Sequence, residues 1–420
     1  MLPLDFIRKN PDAVKRAAEL KGEPAPIEEI LRIDGMWRGH LHKSETIRAE
    51  QNELSKEFAR TRDESLKGRL RQMADAAKSE LAVADAVKRE LDDLLLRVPN
   101  VFHESVPIGE TEADNVVVRE WGTKPQLGFA PRAHYDLGEA LGIMDFERAA
   151  RVSGSRFAFL IGECARLERA LVQFMLDVHT REHGYTEVWP PMLVSSAAMV
   201  GTANLPKFAD AAFKVEDRDL WLIPTAEVPV TNLHREEILD ADRLPLKYVA
   251  YAPSWRTEAG AAGKDTRGFI RLHQFSKVEL VKVTSAESSL DEFERLTGDA
   301  EDILQRLGLH YQVMAMCTGD MGFAQYKKYD LNAWAPGLDR YLEVSSCSTF
   351  NDFQAMRANI RYRPARGVPP RFAHTINGSG LALTRTIDAI IETYQRSDGM
   401  ISVPEVLKPY MGGVELIGAR

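Results

Sequence analysis

The sequence predicts an α+β protein: a long N-terminal helical hairpin followed by a larger domain of mixed strands and helices. Proline is absent between Pro26 and Pro99, in a stretch rich in Glu, Lys, Arg, Leu and Ala, the residues that favour helix. Apolar positions within it recur every 3.5 residues. From about residue 110 onward, short β-like apolar runs and amphipathic helices follow one another. The strict βαβα alternation of a doubly wound sheet is missing.

In the hairpin, one set of heptad positions reads Leu70, Ala77, Ala84, Leu91 and Val98, and its companion reads Leu66, Met73, Glu80, Val87 and Leu94. Nine of these ten are apolar, with Glu80 the exception, which describes a coiled-coil seam. The preceding half is less regular, with Ile27, Ile30, Trp37, Leu41, Ile47, Leu54 and Phe58 at mixed three- and four-residue steps. The polar stretch 61–68 closes on Gly68, and reversal of the chain is expected there. At 1.5 Å per residue, the run from Leu66 to Val98 spans about 50 Å. Between Lys56 and Lys78 lie seven basic and four acidic residues, whereas residues 27–100 hold 14 against 15. A basic end on a near-neutral rod suits phosphate contact; a solvated helix face fits the same charges. The linker-like PNVFHESVPIGETEADN divides the chain into expected domains of 1–105 and 106–420.

In the larger domain, strands are expected in EVWPPMLV (187–194), LWLIP (220–224), KVELVKV (277–283) and RYLEVSS (340–346), and helices over 163–183, 287–307 and 380–396. Neither G-x-G-x-x-G nor G-x-x-x-x-G-K-[ST] occurs, so a bound nucleotide would be held by arginines and not by a phosphate loop. The 420 residues carry a net charge of −8, which argues against a general nucleic-acid binder. Cys164, Cys317 and Cys347 lie far apart with no C-x-x-C pair, which fits a reducing compartment and neither a zinc site nor a disulfide framework. No apolar run reaches the roughly 18 residues of a membrane helix. Asp5, Arg8 and Lys9 stand where a signal peptide would be apolar. A cytoplasmic protein is expected.

Four segments have the residue types for phosphate and amino-acid chemistry. PSWRTEAGAAGKDTRGFIRLHQFSKVE (253–279) reads as a hairpin with a basic loop holding Lys264 and Arg267. Arg256, Glu258, Arg271, Phe275 and Glu279 line one face of it: arginines for phosphate, an aromatic plate for a base, carboxylates as acceptors. Ordinary cross-strand ion pairs would give the same spacing. In LIPTAEVPVTNLH (222–234), Glu227 stands in an apolar setting that requires a partner, either a ligand ammonium or an internal arginine. In DRYLEVSSCSTFNDFQAMR (339–357), Glu343 and Ser346 offer hard oxygens suited to Mg²⁺, or simply cap a strand. HTINGSGLALTRTIDAIIETYQ (374–395) reads as a glycine-rich turn entering an amphipathic helix. Arg385 stands near its start, as an exposed arginine would also do.

The order of these segments resembles that of seryl-tRNA synthetases of the bacterial type, members of class II. The resemblance runs from NELSKEF (52–58) through GEALGIMDFERAARVSGSRFAFL (138–160) to PEVLKPYMGG (404–413), by way of Thr225-Ala226-Glu227, HQFSKVE (273–279), EVSSCS (343–348) and NGSGLALTRT (377–386). It implies an antiparallel sheet flanked by helices, a coiled-coil arm that grips serine tRNA, and a homodimer with 184–196 at the interface. It further implies ATP and Mg²⁺. Arg256 corresponds to the α-phosphate ligand, Phe275 and Arg385 to plates around adenine, with Arg385 also a further phosphate contact, and Glu258 to the adenine-side acceptor. Arg271 corresponds to a ligand of the triphosphate tail. Glu343, Val344, Ser345 and Ser346 fall on the ATP-binding strand, with Glu343 and Ser346 toward the metal. Thr225, Ala226, Glu227, Glu279 and Ser379 match the L-serine pocket. Lys56, Arg60, Arg62, Arg69 and Arg71 face tRNA(Ser); service to tRNA(Sec) stays open. Ser254, Trp255, Thr257, Thr349, Phe350, Met356 and Thr384 depart from the family's usual residues without touching these ligands. An amino-acid:carrier-protein ligase would share the catalytic fold but lack the arm. A non-catalytic paralogue would have lost Arg256, Arg385 or Glu343.

Overall fold

The computed structural model describes residues 1–258 and 268–418, which divide into two compact units parting between Pro99 and Asn100. Lys264 and Arg267 lie outside the described residues.

In the first unit, α1 (Leu4–Lys9) and α2 (Pro11–Leu20) precede α3 (Ile27–Thr61) and α4 (Leu66–Leu95). His40 meets Glu80, Ser44 meets Ala77, and Gln51 meets Leu70; one index rises as the other falls, so α3 and α4 run antiparallel. Ala77, Ala84 and Leu91 are buried along the contact, and the companion positions are half-buried, as the heptads require. Glu80 is accommodated by a polar layer: His40 Nδ1 lies 2.7 Å from its Oε2 and holds the Glu80 carboxyl below its ordinary range.

Reversal occurs earlier than Gly68, which falls inside α4. Arg62 takes the left-handed conformation (φ 56°) that ends α3, and the Asp63 carboxylate accepts the Ser65 N–H at 2.9 Å. That side-chain turn compensates for placing a non-glycine residue where the strain is about 1–2 kcal/mol.

The second unit is built on an eight-stranded sheet. Its strands, in chain order, are β1 (Val116–Trp121), β2 (Thr186–Glu187), β3 (Leu246–Trp255), β4 (Gln274–Thr284), β5 (Tyr311–Ala315), β6 (Lys327–Ala335), β7 (Arg340–Thr349) and β8 (His374–Ala382). Their spatial order is β1-β5-β6-β7-β8-β4-β3-β2. Every pairing is antiparallel except β2 with β3. The helices around the sheet include α5 (His134–Ala140), α6 (Glu163–Arg181), α7 (Ser289–Arg306) and α8 (Leu383–Thr393). Leu171 and Met175 of α6, Leu296 and Ile303 of α7, and Ile387 and Ile391 of α8 pack into one core with Val278, Leu280, Leu331 and Val344 of the sheet.

The expected strand over 187–194 shrinks to the ends, Thr186–Glu187 and Leu193–Val194, because Pro190 and Pro191 cannot donate to a ladder. NGSG is no turn: residues 374–382 form a central strand that passes straight into α8. Its glycines serve close packing. A Cβ on Gly378 would lie 2.6 Å from Leu296 Cδ2, and one on Gly380 would lie 2.8 Å from His179 Nε2. No helix among the described residues is long and apolar enough to cross a membrane.

Candidate active site

One face of β4, β7 and β8 borders a cavity of about 370 Å³. Alternation along β4 points Phe275, Lys277 and Glu279 into it, while Val278 and Leu280 face the core. Two bulges bring in the rest. Glu343 and Ser346 are three residues apart, a spacing that puts side chains on opposite faces of a regular strand. Asn332 pairs with Glu343 and Leu331 with Ser345, leaving Val344 as the extra residue that returns both to one face. On β8, Ser379 pairs with Glu279 and Leu381 with Val278. Gly380 is therefore extra, and Ser379 and Ala382 both border the cavity.

Arg256 and Glu258 are not on a strand face, as the alternation suggested. β3 ends at Trp255, and Glu258 has a φ of +51°. Arg256 Nε donates to the Pro224 carbonyl at 3.2 Å, and its guanidinium lies over the Phe275 ring, 5.1 Å from the centroid. Arg271, ahead of β4, donates to Glu258 Oε2 at 3.2 Å. Arg385, in the first turn of α8, donates through Nε to the Ile270 carbonyl at 3.2 Å and through Nη1 to the Glu343 carbonyl at 2.8 Å, with the Glu343 carboxylate 3.4 Å away. Partial burial would raise the Glu343 carboxyl, but Arg385, Lys328, Arg256 and Lys277 outweigh it and hold it below the ordinary range.

The deeper end is polar and buried. Thr225 Oγ1 donates to Glu279 Oε2 at 2.6 Å, and the Lys277 ammonium pairs with the same carboxylate. Glu227 accepts from Gln354 Nε2 at 2.7 Å. Burial, reinforced by the neighbouring Glu279 charge, pushes its carboxyl up to about 7. Two expected residues do not border the cavity. Ala226 is fully buried in an apolar cluster with Val228 and Val281, and Ser345 donates behind the wall to the Ser379 carbonyl at 2.6 Å.

Lys277, Lys328, Ser348, Asn377 and Thr384 also line the cavity. Lys277 is discoverable from sequence, being two residues from both Phe275 and Glu279 on the same strand; the others depend on sheet pairing. With Glu227 protonated, the described lining carries five cations (Arg256, Arg271, Lys277, Lys328, Arg385) against three carboxylates, a balance that suits a polyphosphate. No group of three His, Cys, Asp or Glu among the described residues could hold a metal. The single open carboxylate of Glu343 with the Ser346 hydroxyl fits Mg²⁺, which takes few protein ligands and completes its shell with phosphate and water. The arm residues Lys56, Arg60, Arg62, Arg69 and Arg71 belong to the first unit and are exposed near the α3–α4 reversal.

Arginines gathered over one face of a mainly antiparallel sheet from its loops and an adjoining helix, without a phosphate loop, are the arrangement of the class II aminoacyl-tRNA synthetases. Residues 213–394 match the tRNA synthetase class II core domain (G, H, P, S and T), and residues 1–102 match the seryl-tRNA synthetase N-terminal domain. The serine–tRNA ligase of Caldanaerobacter subterraneus subsp. tengcongensis is 52% identical over 416 residues, covering 98% of both chains. The seryl-tRNA synthetase of Pyrococcus horikoshii complexed with ATP superimposes with a TM-score of 0.95 at 39% identity, covering 100% of both chains. The cytoplasmic serine–tRNA ligase of Naegleria fowleri in complex with AMP gives 0.89 at 32%, covering 100% of this chain and 99% of that one. The chain belongs to the seryl-tRNA synthetase family, and its activity is the ATP-dependent ligation of serine to tRNA.

Proposed function

We propose that the cavity forms seryl-adenylate from L-serine, ATP and Mg²⁺, and that the exposed basic end of the α3–α4 arm grips tRNA(Ser). The observation that carries this reading is the convergence of Arg256, Arg385, Glu343 and the buried Thr225–Glu279 pair on one cavity. The ATP and AMP complexes of similar proteins support the nucleotide assignment. Serine carboxylate attacks the α-phosphorus in line, pyrophosphate leaves, and Arg256 stabilises the charge that builds on the α-phosphate. Phe275 and Arg385 sandwich adenine, Glu258 accepts from its amino group, and Arg271 holds the triphosphate tail. Val344 and Ser345 complete the ATP-binding strand. Glu343 and Ser346 hold Mg²⁺, which neutralises phosphate charge when bound. Ala226 and Ser379 shape the serine pocket, where Thr225 and Glu279 read the substrate hydroxyl: a substrate lacking it strands buried polar groups. A terminal tRNA hydroxyl then takes the seryl group.

The same proposal places residues 1–105 as the tRNA-binding region and 106–420 as the catalytic region of a cytoplasmic homodimer. Trp189, 84% exposed on the segment 184–196, is a residue a partner subunit would cover. Serine-dependent ATP–pyrophosphate exchange, followed by charging of purified serine tRNA, tests the whole. Exchange without any charging would favour a carrier-protein ligase.

Glu227 gives a pH test. Its raised pKa means the carboxyl is largely neutral below about 7, and only the anion attracts the serine ammonium. The KM for serine is therefore expected to fall as pH rises from 6 to 8, by about threefold or more. Glu227→Gln should remove that slope; the same slope in both proteins would show that Glu227 does not meet the ammonium.

A further inference from the structure

Behind Arg385 lies a buried cluster that the adenylation chemistry does not use. Glu392 of α8 accepts from the backbone N–H and Nδ1 of His134 (2.9 and 2.7 Å) and from the backbone N–H groups of Gly337 and Leu338 (2.8 and 3.1 Å). This anchors the imidazole of α5 with its Nδ1 as the donor. Nε2 then faces two groups: Asp388 Oδ1 at 3.5 Å and the Phe269 backbone N–H at 3.4 Å. The chain passes directly over the ring, because a Cβ on Gly268 would come within 2.3 Å of Nε2. His134 and Asp388 are fully buried, and neither carboxylate oxygen of Asp388 has a hydrogen-bond partner among the described residues.

A buried carboxylate with no donor is costly, and a single proton resolves it, carried either as Asp388 O–H to Nε2 or as Nε2–H to Asp388. We propose that His134 and Asp388 share one proton, and that this proton, by neutralising Asp388 one turn from Arg385, positions Arg385 for ATP. Asp388 follows Arg385 by three residues on one helix face, and the Ile270 carbonyl that holds Arg385 Nε is one residue beyond the N–H facing the imidazole. Among the described residues, the charged and titratable groups facing the pair are Glu392 and Arg385 of α8, Arg340 of β7, Cys164 of α6 and Tyr135 beside His134 on α5. Burial pushes Asp388 up to about 7. For His134, burial acts downward, but the Asp388 and Glu392 carboxylates prevail and raise it. Both shifts favour a proton on the pair below about neutral pH. Its loss in base leaves an unneutralised anion one turn from Arg385, which draws the guanidinium from the cavity.

The inference rests on the assignment of Arg385 to ATP. The test is the ATP KM for adenylate formation between pH 6 and 9 in the parent, Asp388→Asn and Asp388→Leu, with thermal melts as fold controls. The parent KM is expected to rise about threefold or more while kcat stays within about twofold. Asp388→Asn, whose amide donates to Nε2 without titrating, should match the parent at pH 6 and stay flat. Asp388→Leu, which carries no charge at any pH, should likewise stay flat. A flat parent profile, or an Asn variant that climbs with the parent, overturns the proposal. Should the Asn variant fail to fold, His134→Gln is judged by the same slope. Near-normal ATP use by Arg385→Ala would instead sink the ATP assignment, whatever the slopes.

Discussion

Removing residues 45–76 and joining Ser44 to Ala77 through a short flexible linker is expected to leave ATP–pyrophosphate exchange within about twofold of the parent while lowering tRNA charging about 10²-fold or more. The cut follows the hairpin's own pairing: the Ser44 hydroxyl already donates to the Ala77 carbonyl at 2.9 Å, so the new ends touch. The retained base keeps its anchor, where Arg8 and Arg38 pair with the buried Asp34 at 2.9 and 3.0 Å. The removed surface carries Lys56, Arg60, Arg62, Arg69 and Arg71, none of which lines the cavity. Neutralising those five in the intact chain should act more mildly and flatten the salt dependence of tRNA binding, by about 0.7–0.9 in log–log slope for each phosphate that is no longer neutralised. A shortened, folded enzyme that charges serine tRNA at the parent rate would refute the grip.

Arg256→Ala and Arg385→Ala are each expected to reduce kcat/KM for adenylate formation more than tenfold. A charge-assisted hydrogen bond to phosphate is worth about 1.5–3 kcal/mol, and about 1.4 kcal/mol is a factor of ten. Removing Arg385 should cost more than its own phosphate bond. The Glu343 carboxylate, 3.4 Å from Arg385, would be deprived of the foremost of the cations that hold it ionised. Arg256→Lys should recover only part of the loss, because an ammonium cannot present two parallel donors. Exchange near the parent level in both alanine variants would remove these arginines from the reaction.

Legibility in the sequence follows the range over which each signal acts. The α4 seam is readable because heptads are local, and even Glu80 stands out as the odd position; its partner His40 does not, lying on the opposite helix. Composition points to Gly68 as the reversal, whereas Asp63 and the left-handed Arg62 make the turn. The glycines of NGSG suggest a turn from identity alone, because the α7 and α6 side chains that crowd them are distant in the chain. The segments around Arg256, Phe275, Glu343 and Arg385 are legible as chemistry, yet how Glu343 and Ser346 come to share a face depends on a ladder shift that no local pattern announces. The His134–Asp388 contact joins segments with no common motif, and burial alone gives it meaning.

The extra residues Val344 and Gly380 make residue number, as well as residue type, a functional parameter of this enzyme. Removing either one would restore regular alternation and leave its flanking ligands two apart, a spacing that still keeps them on one face, whereas a deletion elsewhere in the strand would exchange inside for outside on one side of the cut. Deleting Val344 would therefore keep Glu343 and Ser346 together while straightening β7, and deleting Gly380 would do the same for Ser379 and Ala382 on β8. Single-residue deletions at Val344 and Gly380 should thus be tolerated better than deletions elsewhere in β7 and β8, and a graft of this site onto another sheet would have to copy both the bulge and its extra residue, or neither.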